Sequence, residues 1–240
     1  MNKKIVVISG GSTGIGAATA QLFAQNGAVV HVLDNQPLSY THPNVVYHAL
    51  DISKRAEVRS VVKNIGDQVG KIDTLFSNAG VHLFASLENS TDDDIDRVIN
   101  INLMGTIFLV QSVIPYLKKS GVGSIVLMGS DQSFIGKGES TIYGLTKGAI
   151  GQMAKSLAID LAKDKIRVNC VCPGTIETPL YHRAVQGYAE KVGINVADVY
   201  NGLATAQPIQ RVGQPEEVAQ LVYFLASDNA GFITGSLYPI

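Results

Sequence analysis

Tyr143 and Lys147 are the residues whose types and spacing point most directly to chemistry. They stand at positions i and i+4, so on one helix they would be neighbours a single turn apart. A phenol can give or take a proton, and a neighbouring ammonium stabilises its ionised form. Ser130 lies 13 residues before the tyrosine, at the end of a predicted strand. The segment from Ser130 to Lys147 is therefore the candidate catalytic centre.

A glycine-rich turn near the start of the chain could hold phosphate groups. It reads Ser9-Gly10-Gly11-Ser12-Thr13-Gly14-Ile15-Gly16, follows a predicted strand and opens a predicted helix. Glycines let the backbone turn tightly and approach a pyrophosphate, whose charge then meets unpaired amides at the helix N-terminus. We predict a dinucleotide-binding turn, in which the cofactor contacts are Gly10, Ser12, Thr13, Gly14, Ile15 and Gly16.

Asp34 indicates which dinucleotide binds. It ends the second predicted strand, 18 residues beyond Gly16, where an acidic residue accepts hydrogen bonds from the adenosine ribose. Its carboxylate would repel a 2′-phosphate, and the residues that follow it offer no compensating cation. The predicted cofactor is therefore NAD, not NADP. Asp51, which precedes Ile52 at the end of the third strand, either reaches the adenine edge or caps the next helix, and the sequence leaves both open.

Strands and helices alternate along the chain and must position these residues. Short β-branched runs predict strands at 4–9, 28–33, 45–50, 74–77, 124–128 and 167–171. Apolar residues at helical spacing predict helices at 14–26, 54–69, 92–118, 142–162 and 216–226. Thr91 with Asp94 predicts a capping box at the start of the third of these helices. The order predicts a single-domain, doubly wound α/β fold of the Rossmann type, with a mostly parallel sheet and helices on both faces.

Residues 179–208 do not fit this alternation. The segment is too long for an ordinary connection, and we expect it to be irregular. Segments of this kind usually cover binding sites. Gly187, Gly193 and Gly202 would permit hinge-like changes, so we predict a mobile substrate lid.

Composition excludes several classes of protein. Of the 240 residues, 46% are hydrophobic and 16% charged, and the net charge is -1. The chain is therefore expected to fold, and it has no basic field for nucleic acid or a membrane surface. Polar residues and a proline interrupt the apolar stretch at 101–117, which predicts a buried helix, not a membrane span. No signal-peptide pattern is apparent at the start, so the expected location is the cytoplasm.

Cys170 and Cys172 are the only cysteines. We expect reduced core thiols, with the two side chains on opposite faces of a strand. No further Cys or clustered His supplies metal ligands, so no metal site is predicted.

The sequence resembles the short-chain dehydrogenase/reductase family over nearly its whole length. The matching segments are the glycine turn, Ser77-Asn78-Ala79-Gly80, Asn102, Ser130, Tyr143 with Lys147, 173–178 and 211–217. A tyrosine and lysine at this spacing are common by chance, whereas the whole series in this order is specific. Ser9 and Ser77 replace the family's usual Thr and Asn but keep small polar groups. Family members commonly continue beyond the position of Ile240 through an Asp-Gly-Gly tail, so either the chain is truncated or the sequence ends early.

The resemblance implies an oxidoreductase that transfers a hydride between NAD and a small or medium polar alcohol or carbonyl compound. Tyr143 would be the acid/base, with its pKa lowered by Lys147 and by the positive nicotinamide. Ser130 would hold the substrate oxygen, and Lys147 would also bind the nicotinamide ribose. Asn102 would anchor a proton-relaying water, unless its amide satisfies a local backbone kink. The other implied cofactor contacts are Asn78, Ala79, Gly80, Pro173, Gly174, Ile176 and Thr178.

The substrate remains open at this level. Candidate wall residues are His82, Gln132, Phe134 and Tyr181, a mixture that suits a polyol, sugar or hydroxyketone. One alternative is a 3-oxoacyl thioester reductase using NADPH, which Asp34 disfavours. Another is a non-catalytic dinucleotide-sensing protein, which the intact Ser130, Tyr143 and Lys147 disfavour. Both long helices are apolar around much of their circumference, so we expect a homotetramer, or at least a dimer.

Overall fold

The computed structural model describes residues 3–240. Its strands are β1 (Ile5–Ser9), β2 (Val29–Asp34), β3 (Val45–Ala49), β4 (Thr74–Ser77), β5 (Gly123–Met128), β6 (Ile166–Cys172) and β7 (Leu237–Pro239). Its α-helices are α1 (Gly14–Gln25), α2 (Arg55–Val69), α3 (Asp92–Val98), α4 (Gly105–Ser120), α5 (Thr141–Leu161), α6 (Pro179–Val192), α7 (Val196–Thr205) and α8 (Pro215–Ala226). The predicted elements all occur within a residue or two of their expected ends. The short edge strand β7 was not predicted, because three residues show no periodicity.

The strands form one parallel sheet in the order β3-β2-β1-β4-β5-β6-β7. In the middle of the sheet, Ile8 of β1 pairs with Val32 on one side and with Phe76 on the other. The chain builds β1, β2 and β3 outward, then crosses to the opposite side of β1 to form β4. Doubly wound sheets bind ligands at this switch point, outside the carboxyl ends of the strands. The predicted Rossmann-type fold is confirmed.

Alternate residues of the central strands face two separate layers of helices. Val6, Ile8 and Phe76 pack in the core that includes residues of α1 and α8. Val7 and Leu75 pack in the core that includes residues of α2, α4 and α5. All five side chains are fully buried. The central strands are therefore held rigidly, and so are the starting points of the loops that follow them.

The long helix predicted from residue 92 is continuous but changes its geometry. A π-helical segment, Ile99–Met104, joins α3 to α4. At the start, Thr91 Oγ1 accepts a hydrogen bond from Asp94 N at 3.1 Å, as the capping signal predicts. At the end, Gly121 adopts a φ of 80°. Because π-helical turns often occur at functional sites, the position of Asn102 within this segment bears on its role.

The helical stretch Asp92–Ser120 is also, among residues 3–240, the one stretch long and apolar enough to cross a membrane, with a mean hydropathy of 1.6 over 18 residues. In the fold it packs on the sheet, and Leu109, Val113 and Leu117 are fully buried. The buried core helix of a globular protein can have the same length and hydropathy, so these two properties are only weak evidence for a membrane span.

Residues 179–208 are mostly helical, so the prediction of an irregular segment was wrong. Thr178 Oγ1 caps α6 by accepting a hydrogen bond from Tyr181 N at 3.1 Å, and Gly193 ends the helix with a φ of 73°. Asn195 Oδ1 caps α7 by accepting from Ala197 N at 2.9 Å. The cap residues mark the ends of both helices, and each helix also carries an apolar face, with Val185 and Ala189 of α6 buried against Val199 of α7.

Cys170 and Cys172 lie on the same face of β6, so the prediction of opposite faces was wrong. Side chains two residues apart in a strand share a face, and the two Sγ atoms are 3.7 Å apart. Both cysteines are buried free thiols, as expected. Within the described part of the chain, no group of three or more His, Cys, Asp or Glu could hold a metal ion.

Candidate active site

A cavity of about 790 Å³ opens at the carboxyl ends of the strands. Its walls come from the turns after β1 to β6 and from helices α6 and α7. This volume is typical of cofactor and small-molecule sites. The predicted site residues that line it are Gly10, Thr13, Gly14, Ile15, Asp34, Asp51, Ile52, Asn78, Ala79, Gly80, His82, Ser130, Gln132, Tyr143, Lys147, Pro173, Gly174, Ile176, Thr178 and Tyr181.

The glycine turn has the shape of a phosphate-binding cradle. Gly10 and Gly14 have φ angles of 66° and 55°, which other residues rarely adopt. A Cβ on Gly16 would lie only 2.0 Å from Gly10 O, so a side chain there would force the turn apart. Thr13 provides no side-chain cap to α1, which leaves the first amides of the helix available to an anion. These features fit the pyrophosphate of a dinucleotide.

Ser12 and Gly16 support this turn and do not line the cavity. The buried Ser12 donates from Oγ to Gln36 O at 2.7 Å and from its amide to Asp34 Oδ2 at 3.0 Å. Gly16 is buried against Gly10. The structure therefore favours a packing role for both, in place of the predicted direct contact with the cofactor.

Two carboxylates, Asp34 and Asp51, line the cavity after β2 and β3. Asp34 accepts hydrogen bonds from the Ser12 and Gln36 amides at 3.0 Å each, which leaves lone pairs for ribose hydroxyls. Asp51 Oδ1 accepts from Ser53 N at 2.9 Å and from Ser53 Oγ at 2.7 Å. Asp51 therefore stabilises the turn before α2 and also reaches the cavity, so the two interpretations of it are compatible.

The segment Asn78 to Gly80 ties the ends of β4 and β1 together. Asn78 Nδ2 donates to Ser9 O at 3.2 Å and to Gly10 O at 2.8 Å. Ser9 Oγ accepts from the amides of Asn78 and Ala79 at 3.1 Å each. The Ser9 hydroxyl thus joins β1 to the segment after β4. Together with the Asn78 side chain it fixes the glycine turn at the switch point of the sheet.

Ser130, Tyr143 and Lys147 meet at the opposite side of that switch point. Ser130 follows β5, and its Oγ donates to Asp131 Oδ1 at 2.8 Å. Lys147 Nζ lies 5.6 Å from the centre of the Tyr143 ring and donates to Met128 O at 2.8 Å. The predicted set is therefore assembled around one wall of the cavity.

The pKa of Tyr143 does not follow the predicted direction. Burial raises it to about 12, Asp131 also raises it, and a hydrogen bond with Ser130 acts in the opposite direction. Burial lowers the pKa of Lys147 to about 8. The expectation of a lowered tyrosine pKa was wrong for the protein alone, because desolvation of the phenolate dominates and Lys147 Nζ is directed to Met128 O. Tyr143 is thus a protonated phenol at neutral pH, suited to donating a proton.

Asn102 is buried and does not line the cavity. Its Oδ1 accepts from Val81 N at 2.8 Å, and its Nδ2 donates to Val81 O at 2.9 Å and to Thr146 Oγ1 at 3.3 Å. The amide therefore joins the π-helical segment, the loop after β4 and helix α5. These bonds go to the backbone of the loop after β4 and not to the irregular helix itself, so they do not match the alternative of a local backbone kink. The water-anchoring role of Asn102 stays a prediction.

Of the predicted substrate-wall residues, Gln132 lines the cavity and Phe134 does not. The Asp131–Ser133 turn, with Ser130 Oγ accepting from Gln132 N at 3.2 Å, directs Gln132 into the cavity. Phe134 follows that turn, does not line the cavity and is 53% exposed. Sequence reasoning missed two cations that do line it, Lys137 and Arg183. Lys137 pairs with Asp131, six residues before it, at 2.5 Å. No sequence motif indicates that this lysine lines the cavity.

The fold and the cavity define a Rossmann-type dinucleotide-binding protein with a Ser, Tyr and Lys set facing the ligand space. A family model described as enoyl-(acyl carrier protein) reductase matches residues 10–240. A 3-oxoacyl-[acyl-carrier-protein] reductase of Thermotoga maritima is 35% identical over 99% of this chain and 96% of its own length. An L-fucose dehydrogenase of Mus musculus is 35% identical over 97% of this chain and 85% of its own length.

Among solved structures, a short chain dehydrogenase family protein from Francisella tularensis superposes with a TM-score of 0.94. It is 39% identical, and the match covers 99% of this chain and 97% of the other. The chain belongs to the short-chain dehydrogenase/reductase family. It is therefore an oxidoreductase of that type, with a site for a nicotinamide dinucleotide.

Proposed function

We propose that the protein is an NAD-dependent oxidoreductase that interconverts an alcohol and a carbonyl in a small or medium polar compound of the polyol, sugar or hydroxyketone type. The observation that carries the proposal is that Ser130, Tyr143 and Lys147 line the same cavity as the glycine turn. One cavity can therefore hold the cofactor and bring its reactive end to the catalytic side chains.

The chain's own residues have separate roles in this proposal. When bound, the nicotinamide exchanges a hydride with the substrate carbon and, in its oxidised form, adds positive charge to the site. Tyr143 donates its proton to the carbonyl oxygen in reduction and accepts the hydroxyl proton in oxidation. Ser130 holds the same oxygen by a hydrogen bond. Lys147 binds the nicotinamide ribose and stabilises the phenolate when it forms.

The preference for NAD rests on Asp34. The segments around it that line the cavity, 33–36 and 50–52, contain no Arg or Lys, so a 2′-phosphate would meet a carboxylate without a compensating cation. In direct titrations we expect NAD to bind at least about tenfold more tightly than NADP, or roughly 1.4 kcal/mol. Asp34→Ala should reduce the difference in affinity between NAD and NADP. Equal affinities of the unchanged protein for the two cofactors would contradict the assignment.

The type of substrate is supported by the neutral polar side chains in the wall, His82, Gln132 and Tyr181, and by similarity to the L-fucose dehydrogenase. The test is NADH formation with a panel of sugars, polyols, steroids and hydroxy acids. Activity with polyols or sugars is the expected result. A protein that binds NAD and is inactive across the panel would instead support a non-catalytic dinucleotide sensor.

A second candidate function is reduction of a 3-oxoacyl thioester with NADPH. The similarity to the Thermotoga maritima reductase favours it, whereas Asp34 disfavours the phosphorylated cofactor. Oxidation of NADPH by an acetoacetyl thioester, faster than any NAD-linked oxidation in the panel, would establish this function in place of the first.

We also propose a homotetramer, or at least a dimer. Helix α5 is one of the helices expected to pair between subunits. Its apolar side chains Leu145 and Ile159 are 54% and 79% exposed in the single chain, and a second subunit would cover them. Light scattering should give a multiple of the 25.5 kDa chain mass, and a monomer would refute the proposal.

A further inference from the structure

Gln132 presents an unsatisfied amide to the cavity beside the catalytic set. The residue is only 9% exposed and lines the cavity. Its backbone amide bonds to Ser130 Oγ, but its side chain has no hydrogen-bond partner among residues 3–240. Its amide atoms are not among the fully buried, unpartnered side-chain atoms of the described residues, so they reach the space of the cavity. The Gln132 amide is therefore available to bind a group that enters the cavity.

His82 presents a second polar group without a partner, packed beside Tyr143. The centres of the His82 and Tyr143 rings are 4.5 Å apart, and the Phe84 ring packs on His82 at 5.4 Å. His82 lines the cavity, and its ring nitrogens have no partner within the described part of the chain. Burial, with smaller effects of Lys137 and Lys147, lowers the pKa of His82 to about 4. The ring is therefore neutral and offers one donor and one acceptor.

The two groups lie close to the position of the reacting oxygen. Gln132 is two residues beyond Ser130, and its Oε1 is 3.0 Å from where a Cβ on Gly144 would stand, next to Tyr143. His82 packs directly on the Tyr143 ring. An oxygen held between Ser130 and Tyr143 would thus have the Gln132 amide and the His82 imidazole as its neighbours.

The two binding groups at this place are uncharged. Lys137 is paired with Asp131 at 2.5 Å, and His82 is uncharged. An amide and a neutral imidazole together supply donors and acceptors, which a hydroxyl satisfies in both directions and a carbonyl satisfies as an acceptor. The competing possibility is a carboxylate bound by Arg183, which lines the cavity and has no ion pair among the described residues.

We propose that Gln132 and His82 bind a second oxygen of the substrate, on the carbon next to the reacting carbon. The substrate class is then a vicinal diol in oxidation and an α-hydroxyketone in reduction. The protein binds this second oxygen, and the reaction does not change it. This inference rests on the proposed function and adds to it the two residues that recognise the neighbouring oxygen of the substrate.

The first test compares kcat/KM for butane-2,3-diol and butan-2-ol with NAD. A site with dedicated polar groups rejects an analogue that lacks the matching hydroxyl, so we expect the diol to be preferred by about 100-fold or more. Gln132→Met and His82→Phe keep most of the packing and should each reduce this ratio about tenfold. Gln186→Met and His182→Phe, at exposed positions of α6, are the matched controls and should keep the ratio. A ratio near one, or a ratio that the first two variants leave unchanged, overturns the inference.

A second test reads binding without turnover. With NAD present, ligand-observed NMR on Tyr143→Phe should detect the diol more readily than butan-2-ol, and adding His82→Phe should reduce this preference. Absence of turnover in the unchanged protein would count against the proposed function, whereas this binding experiment tests the inference even when no turnover occurs. Equal binding of the two alcohols overturns it. A preference for 3-hydroxybutyrate over the diol that Arg183→Met abolishes would overturn it as well, in favour of an anionic substrate.

Discussion

The cofactor end and the substrate end of the cavity are built in different ways. The cofactor end is made largely of backbone, with Gly10 and Gly14 in φ ranges that suit glycine and Asn78 bonded to Ser9 O and Gly10 O across the switch point. The substrate end is made of side chains from the loop after β4, the turn after β5 and helices α6 and α7.

The difference also extends to packing. The strands beneath the cofactor end belong to two large cores, whereas the buried members of the cluster between α6 and α7 are only Val185, Ala189 and Val199. A rigid backbone cradle suits a cofactor of fixed shape. A thinly packed set of helices permits opening, and its side chains can differ between relatives without disturbing the sheet.

The largest expected effect is on the catalytic side of this comparison. Tyr143→Phe should lower turnover by about a thousandfold or more, since the ring still packs but the transferable proton is lost. NAD affinity should stay within a few-fold, because the cofactor end is unchanged. The measurement is steady-state turnover together with a direct NAD titration. Retention of a tenth or more of the activity would mean that Tyr143 is not the acid/base.

The contrast explains which features could be predicted from the sequence. The glycine turn, Asp34 and the alternation of strands and helices follow from local rules, namely φ preferences, β-branched runs and helical periodicity. Helices α6 and α7 were not predicted, because they are short and their buried residues form a small cluster separate from the two cores that cover the sheet. The raised pKa of Tyr143 was missed because desolvation depends on the final packing. The outward position of Phe134 depends on a turn of three residues that no periodicity reveals.

The next largest effect should come from filling the cradle. In Gly16→Ala the added Cβ would lie 2.0 Å from Gly10 O, and the turn must move. We expect NAD affinity to fall about 100-fold, with a loss of folding stability of about 1–3 kcal/mol. Gly148→Ala is the matched control on α5, where an added Cβ meets nothing within 4 Å. Calorimetric NAD titration and thermal unfolding of both variants make the comparison. Unimpaired NAD binding by Gly16→Ala would show that the cradle does not hold the cofactor.

A smaller but measurable difference should separate the lid from the sheet. The α6 and α7 amides should exchange with solvent through openings that cost at least about 2 kcal/mol less than those of β1 and β5. Hydrogen exchange followed by mass spectrometry gives both values in one experiment. Saturating NAD with substrate should slow exchange in the lid more than in the sheet. Equal protection of the two regions without ligand would contradict the description of residues 179–208 as a lid.

The smallest effect concerns two histidines, the buried His31 of β2 and the partly buried His82, which lines the substrate end of the cavity. His31 lies under the cofactor end, bonded through Nδ1 to His48 Nε2 at 2.9 Å, and its Nε2 is buried without a partner among the described residues. Burial, and then the charge of His48, lowers the pKa of His31 to about 4 from 6.5. Between these two values the unfolded chain binds more protons than the folded chain, so stability falls as the pH falls.

This linkage amounts to about 2 kcal/mol between pH 7 and pH 5 for His31 alone. Urea unfolding at several pH values should therefore show a flatter acid slope in His31→Gln than in the unchanged protein. His82 has a similarly lowered pKa of about 4, but it borders the cavity, where water can solvate the charged ring. His82→Phe should accordingly flatten the slope less than His31→Gln. The reverse order would show that the substrate end, and not the sheet beneath the cofactor end, sets the acid sensitivity of the fold.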